Sequence, residues 1–133
     1  MSRRTDRRAA AFLLYQRDLM DDDFESLYAA YELDTGEPVS DFTRGRVEGT
    51  WSDRARLDRA IDEAAHGWTS ERMAVLERNI LRLAVWEMSA ADVPAPVAID
   101  EAVALSKRYA SPEAATLVNG ILGRIARIEG VGT

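Results

Sequence analysis

The chain has no cysteine and a single histidine among its 133 residues. The first absence excludes a disulfide scaffold and any thiolate metal site, and it fits a cytoplasmic setting. The second leaves little for a zinc site or a Ser-His relay. His66, followed by Gly67, reads as a helix-terminal residue favoured by the helix dipole. No run of about 18 uncharged apolar residues occurs, so no membrane span is expected. The stretch from Ala9 to Tyr15 is too short for a signal-peptide core, and no cleavage site follows it. A Gly-rich phosphate loop, a Walker lysine and a cluster with metal-ligand spacing are all missing, so neither cofactor nor metal is expected. No segment alternates with a period of two between hairpin turns, which argues against β architecture.

What is present is helical patterning. Apolar residues make up 47% of the chain, enough for a real core, and the length suits one domain spanning residues 1–133. Arg3 to Leu19 reads as a helix with Ala10, Leu13 and Leu14 on one face. Asp21 to Asp23 can cap a second helix from Phe24 to about Leu33. Thr35 to Pro38 is a turn. Ser40 or Asp41 can cap a long third helix running to about Ala65, with a kink or break near Thr50 because Gly45 and Gly49 weaken its first half. Thr69 or Ser70 caps a short turn, and Val75 to Ser89 is strongly amphipathic. A stiff connector, Asp92 to Pro96, leads to a helix from Val97 to Tyr109. Ser111-Pro112-Glu113 starts the last helix, which Gly130 and Gly132 end. The expectation is an all-α fold of six or seven helices, with Trp51 and Trp68 in the core.

Charge is distributed unevenly. The formal net charge is −6, which taken alone argues against a nucleic-acid partner. Yet Arg3, Arg4, Arg7 and Arg8 face only Asp6, whereas from Asp18 to Asp41 the acids run without a base until Arg44. A polyanion would be drawn to the first segment and repelled by the second, so a binding site would be local and oriented. On a helix Arg3 and Arg7 share one face, and Arg4 and Arg8 the next. Such pairs span roughly the distance between successive phosphates, and each guanidinium can bind phosphate bidentately. The competing reading is a solvated N-terminus whose arginines pair with the acidic run.

Arginines do not read sequence; single-stranded RNA is read by stacking and by hydrogen bonds to exposed base edges. Tyr15, Gln16, Glu113, Leu117 and Asn119 are the candidates. Asn119 before Gly120 fits better a structural role, bonding local backbone while another helix approaches the glycine. Tyr15 reads equally as a core aromatic. Lys107 and Arg108 extend the basic surface or serve the dipole at a helix C-terminus. Asp100 and Glu101 point about 100° apart on a helix and cannot readily flank one substrate bond. Asp100 is read as a local cap and Glu101 as an arginine's partner.

Several segments resemble the NusB family of transcription antitermination factors. Arg3-Arg4, Arg7, Ala10 and Leu14-Tyr15-Gln16 resemble its arginine-rich opening. Leu76 to Glu87 resembles its central helix, and Val97 to Tyr109 with Leu117 to Leu122 resemble its last two. The likeness spans nearly the whole chain and is weakest from Asp21 to Thr50. It implies two small helical bundles packed together, pairing with NusE, a small-subunit ribosomal protein, and recognition of boxA RNA in nascent ribosomal RNA transcripts. It implies action with the RNA polymerase antitermination complex and no catalysis. It also implies that the central helix offers NusE an acidic edge, with Glu77, Arg78, Leu81, Trp86 and Glu87 as partner residues, Trp86 reading more readily as core. Members occur as monomers and dimers, so a homodimer stays open. The chain departs from the family at Leu117, where phenylalanine is common; leucine offers apolar contact but no π-face. Asp6 and Arg8 also exchange the usual order of charges.

Two other readings stand beside this one. The first is a helical adaptor that binds protein only, favoured by the acidic balance. The second is the RNA-docking domain of a ribosomal RNA methyltransferase, which shares the fold; no nucleotide-binding βαβ segment follows in the chain, so no enzyme is expected.

Overall fold

The computed structural model describes residues 2–67 and 72–129. Among them lie seven α-helices and no strand. They are α1 (Arg3–Leu19), α2 (Phe24–Thr35), α3 (Asp41–Ser52), α4 (Arg54–Ala64), α5 (Val75–Ala90), α6 (Ala95–Tyr109) and α7 (Pro112–Glu129). Trp68, the Thr69 or Ser70 cap, and the stops at Gly130 and Gly132 fall outside the described residues.

Local chemistry sets most of these boundaries. The Ser2 hydroxyl accepts from the Thr5 amide at 3.1 Å. Asp23 accepts from Ser26 at 2.8 Å, Ser40 from Thr43 at 3.1 Å and Ser111 from Ala114 at 3.0 Å. Each satisfies a donor that the first turn leaves without a partner. Gly36 ends α2 at φ +73°, a conformation glycine takes without strain. The long third helix expected from Asp41 to Ala65 is two helices. They part at Asp53 (φ −92°, ψ 4°), a little beyond the expected weak point at Thr50. His66 and Gly67, at φ +48° and +98°, turn the chain away after α4. The sixth helix begins earlier than its pattern suggests, because Pro96 sits in the first turn, where its missing N–H costs nothing.

Helix α5 is the axis of the fold. It packs against α1 and α3 on one side and α4, α6 and α7 on the other, while α2 leans on α1. Its buried residues include Ile80, Leu81, Leu83, Ala84, Val85 and Met88, and also Asn79, Arg82 and Glu87. A helix enclosed on so many sides has to match each internal charge. Arg82 pairs with Asp58 at 2.7 Å. The Asp18 Oδ2 accepts from Arg78 at 2.7 Å, Asn79 at 2.9 Å and Arg82 at 3.0 Å. Burial alone would raise the Asp18 carboxyl, but the Asn79 and Arg78 hydrogen bonds and the Arg82 charge together hold it below the usual carboxylate range. The first acid of the acidic run is therefore an internal clamp between α1 and α5.

Candidate nucleic-acid interface

The four arginines of α1 fall on two faces, and the fold sends those faces to different neighbours. Arg3 lies over the Phe42 ring at 4.1 Å and pairs with Asp6 at 3.4 Å. Arg7 turns into the protein: its Nε donates to both Glu87 oxygens, at 3.1 and 2.9 Å. Arg7 was expected to reach phosphate, and this is a correction, since its side chain is 11% exposed and fully engaged by a buried carboxylate. Arg4 and Arg8 look the other way, toward α6. Arg4 is exposed and pairs with Glu101 at 3.3 Å, so Glu101 is the arginine's partner expected of it. Arg8 is half-buried and has no ion-pair partner among the described residues. With Arg108 and Tyr109 these residues line a pocket of about 120 Å³.

Tyr109 carries the surface onward. Its ring meets the edge of Phe12 at 4.9 Å, and both line a wider pocket of about 580 Å³ with Tyr15, Leu19, Leu76 and Glu77. A third pocket of about 390 Å³ shares Glu77 and Ser111 with the second and adds Arg72, Glu113 and Leu117. The three form one open groove across α1, α5, α6 and the start of α7. The Arg4, Arg8 and Arg108 guanidiniums stand at one end with Glu101, aromatic and aliphatic side chains in the middle, and the Glu77 and Glu113 carboxyls with Arg72 at the other. Burial raises the Glu77 carboxyl above the usual range, and no cation pairs with it among the described residues.

This arrangement can do three things. Its guanidiniums can hold phosphates. Its aromatic walls can take unstacked bases. Its carboxyls can accept from base amino groups while repelling phosphate, which gives the groove a direction. Arg4, Arg8, Tyr15, Arg108, Glu113 and Leu117 are brought together here. Gln16, Lys107 and Asn119 are exposed and line none of the three pockets. The structural role read for Asn119 is not realised: its side chain makes no hydrogen bond, and the nearest atom to a Cβ added at Gly120 is the Arg124 Nη1 at 3.6 Å. Phe12 and Tyr109 escaped the sequence reading. The available signal was spacing, since Phe12 is four residues from Arg8 and three from Tyr15 on one helical face.

Residues 4–127 match the model of the NusB family. The chain belongs to the NusB family. A transcription antitermination protein NusB from Rubrobacter xylanophilus is 42% identical over 123 residues, covering 92% of this chain and 88% of that protein. The solved T. maritima NusB superposes with a TM-score of 0.83 at 32% identity, covering 96% of this chain and 92% of that one. A chain from a crystal structure of the antitermination factors NusB and NusE in complex with dsRNA superposes at 0.84 with 25% identity, covering 95% and 96%.

The partner face expected on the central NusB helix needs revision. Leu81 is fully buried and Glu87 is 2% exposed, so both belong to the core. The cause is the central place of α5, which leaves those positions no solvent face. Arg78 is tied to Asp18 at 2.7 Å. Trp86 is half-buried and lies against Gly49, where an added Cβ would fall 2.6 Å from its Cε2, in line with its core reading. Glu77 is half-buried, has no ion-pair partner among the described residues and lines the groove. No helix among the described residues is long and apolar enough to cross a membrane.

Proposed function

We propose that this chain is a transcription antitermination factor that holds boxA-type single-stranded RNA in the groove between α1 and α6, acting with a NusE ribosomal protein and the RNA polymerase antitermination complex. The observation that carries this reading is Arg8. A half-buried arginine with no ion-pair partner among the described residues, set beside Arg4 and Arg108 at the head of an aromatic-lined groove, has its donors open to an anion. Arg4 and Arg108 then take flanking phosphates, Phe12, Tyr15 and Tyr109 offer ring edges and faces to bases, and Leu117 supplies apolar contact. Glu77 and Glu113 accept from base amino groups at the far end. No chemical step belongs to the proposal: Asp100 is exposed, and Glu101 is turned to Arg4. A cytoplasmic site of action goes with it.

The test is a binding titration of a boxA-like RNA with and without the cognate NusE, across salt concentrations. Arg8→Ala should weaken binding and reduce the salt slope by roughly 0.7 per phosphate lost. Absence of RNA binding even with the partner present would favour the protein-only adaptor.

A further inference from the structure

Leu19 lies on two depressions. It closes the aromatic part of the groove, and it also lines a hollow of about 360 Å³ where α1 gives way to α2, together with Arg17, Met20, Asp21, Trp51 and Arg54. Trp51 stands at the end of α3 with three guanidiniums over its ring, Arg54 at 4.1 Å, Arg17 at 4.9 Å and Arg82 at 5.9 Å.

The charges of this hollow are poorly matched from within. Arg54 is exposed, donates to the Trp51 carbonyl at 2.8 Å and has no carboxylate partner among the described residues. Arg17 has Asp21 at 3.5 Å and fully exposed, a contact worth little in water, and donates to the Met20 carbonyl at 3.3 Å. Asp18, the other acid there, is already held by Arg78, Asn79 and Arg82. Arg54 is also the first residue of α4, where the helix dipole disfavours a cation. Leu19 and Met20 are 55% and 44% exposed beside it. The Trp51 carbonyl and ring account for where Arg54 lies, but not for its uncompensated charge or for the two exposed apolar side chains, and sites that break local rules are where function is expected.

We infer that this corner is a second single-stranded RNA subsite, taking the nucleotides that leave the groove past Tyr15. The inference rests on the groove reading above. Arg17 and Arg54 hold phosphates, and a base stacks on the exposed guanidinium above the indole. The exposed Asp21, Asp22 and Asp23 stand along the α2 side and repel the sugar-phosphate strand, steering it toward Arg54.

Two RNAs with the same boxA-like core test this, one ending at the core and one carrying a short oligouridine tail, with the tail placed at either end in turn. Wild type should bind one tailed RNA about tenfold more tightly than the core RNA, the gain expected of one stacked base. Its salt slope should be steeper by about 0.7 per added phosphate contact. Arg54→Glu should abolish that gain and leave core binding unchanged, measured at a temperature where the variant is folded. Light-induced crosslinking of 5-iodouridine in the tail should mark the Trp51 peptide. A tail that adds nothing at either end, a gain that survives Arg54→Glu, or crosslinks confined to other peptides would overturn the subsite. The groove reading fails separately, when the core RNA does not bind or ignores Arg8→Ala, and the subsite falls with it.

Discussion

Arg7 and Glu87 form a buried ion pair between α1 and α5, with the Arg7 Nε 3.1 and 2.9 Å from the two carboxylate oxygens. Arg46 joins the pair, its Nε 2.9 Å from the same Oε2. One carboxylate thus balances two guanidiniums, and the side chains of Glu87, Arg7 and Arg46 are only 2%, 11% and 15% exposed. Removing the carboxylate charge leaves two cations in a poor solvent for them. Glu87→Gln should cost roughly 3–5 kcal/mol of folding stability, the usual penalty for breaking a buried pair on one side. Chemical denaturation measures it, and a loss below about 1 kcal/mol would show that water reaches the cluster.

The same geometry separates two arginines that are neighbours in sequence. Arg7→Ala should lower stability, yet at a temperature where the variant is folded the salt dependence of RNA binding should match wild type. Arg8→Ala should do the reverse, leaving stability within about 0.5 kcal/mol and reducing the salt slope by roughly 0.7. Equal slopes for the two variants would return Arg7 to the RNA surface.

Gly49 permits the packing of α3 on α5. A Cβ at that position would fall 2.6 Å from Cε2 and 3.0 Å from Nε1 of Trp86, with Cζ2 nearer still. Those atoms belong to a rigid indole that cannot retreat without disturbing its neighbours. Gly49→Ala should therefore cost about 1–3 kcal/mol through overpacking, despite alanine's better helix propensity. Adding Trp86→Phe, which removes the crowding ring, should make the double variant more stable than the sum of the single losses predicts. Thermal melts of the three proteins give the comparison.

The helix starts were legible because caps are local: Ser2, Asp23, Ser40 and Ser111 each act on a backbone amide three residues away. The faces of α5 were not. Arg82 and Glu87 interrupt its apolar pattern like solvent-facing charges, but their partners are Asp58 on α4 and Arg7 and Arg46 on α1 and α3. No window of sequence contains both members of such a pair. The groove was legible in part for the same reason. Spacing placed Arg4, Arg8 and Tyr15 along α1, whereas the choice of Arg4 and Arg8 over Arg3 and Arg7 as the open face depends on where α3 and α6 come to lie. The family resemblance assigns Glu77 to a protein partner, and only the fold shows that it lines the groove.

Glu77 allows a test by pH. Burial raises its carboxyl above the ordinary glutamate value of 4.5. The folded protein therefore holds this proton more tightly than the unfolded chain, and the contribution to stability is full below 4.5 and lost as pH rises through the raised value. Glu77→Gln lacks the titration, so it should be at least as stable as wild type near neutrality, and that difference should vanish in acid. RNA binding should follow the opposite sign. Deprotonation makes the carboxyl a stronger acceptor for base amino groups, so wild-type affinity should rise as pH rises through this window while the Glu77→Gln profile stays flatter. Using one RNA for both proteins cancels the titration of the bases. Superimposable pH profiles would mean that the RNA keeps clear of Glu77, and would shift the groove's path toward Tyr15 and Leu19.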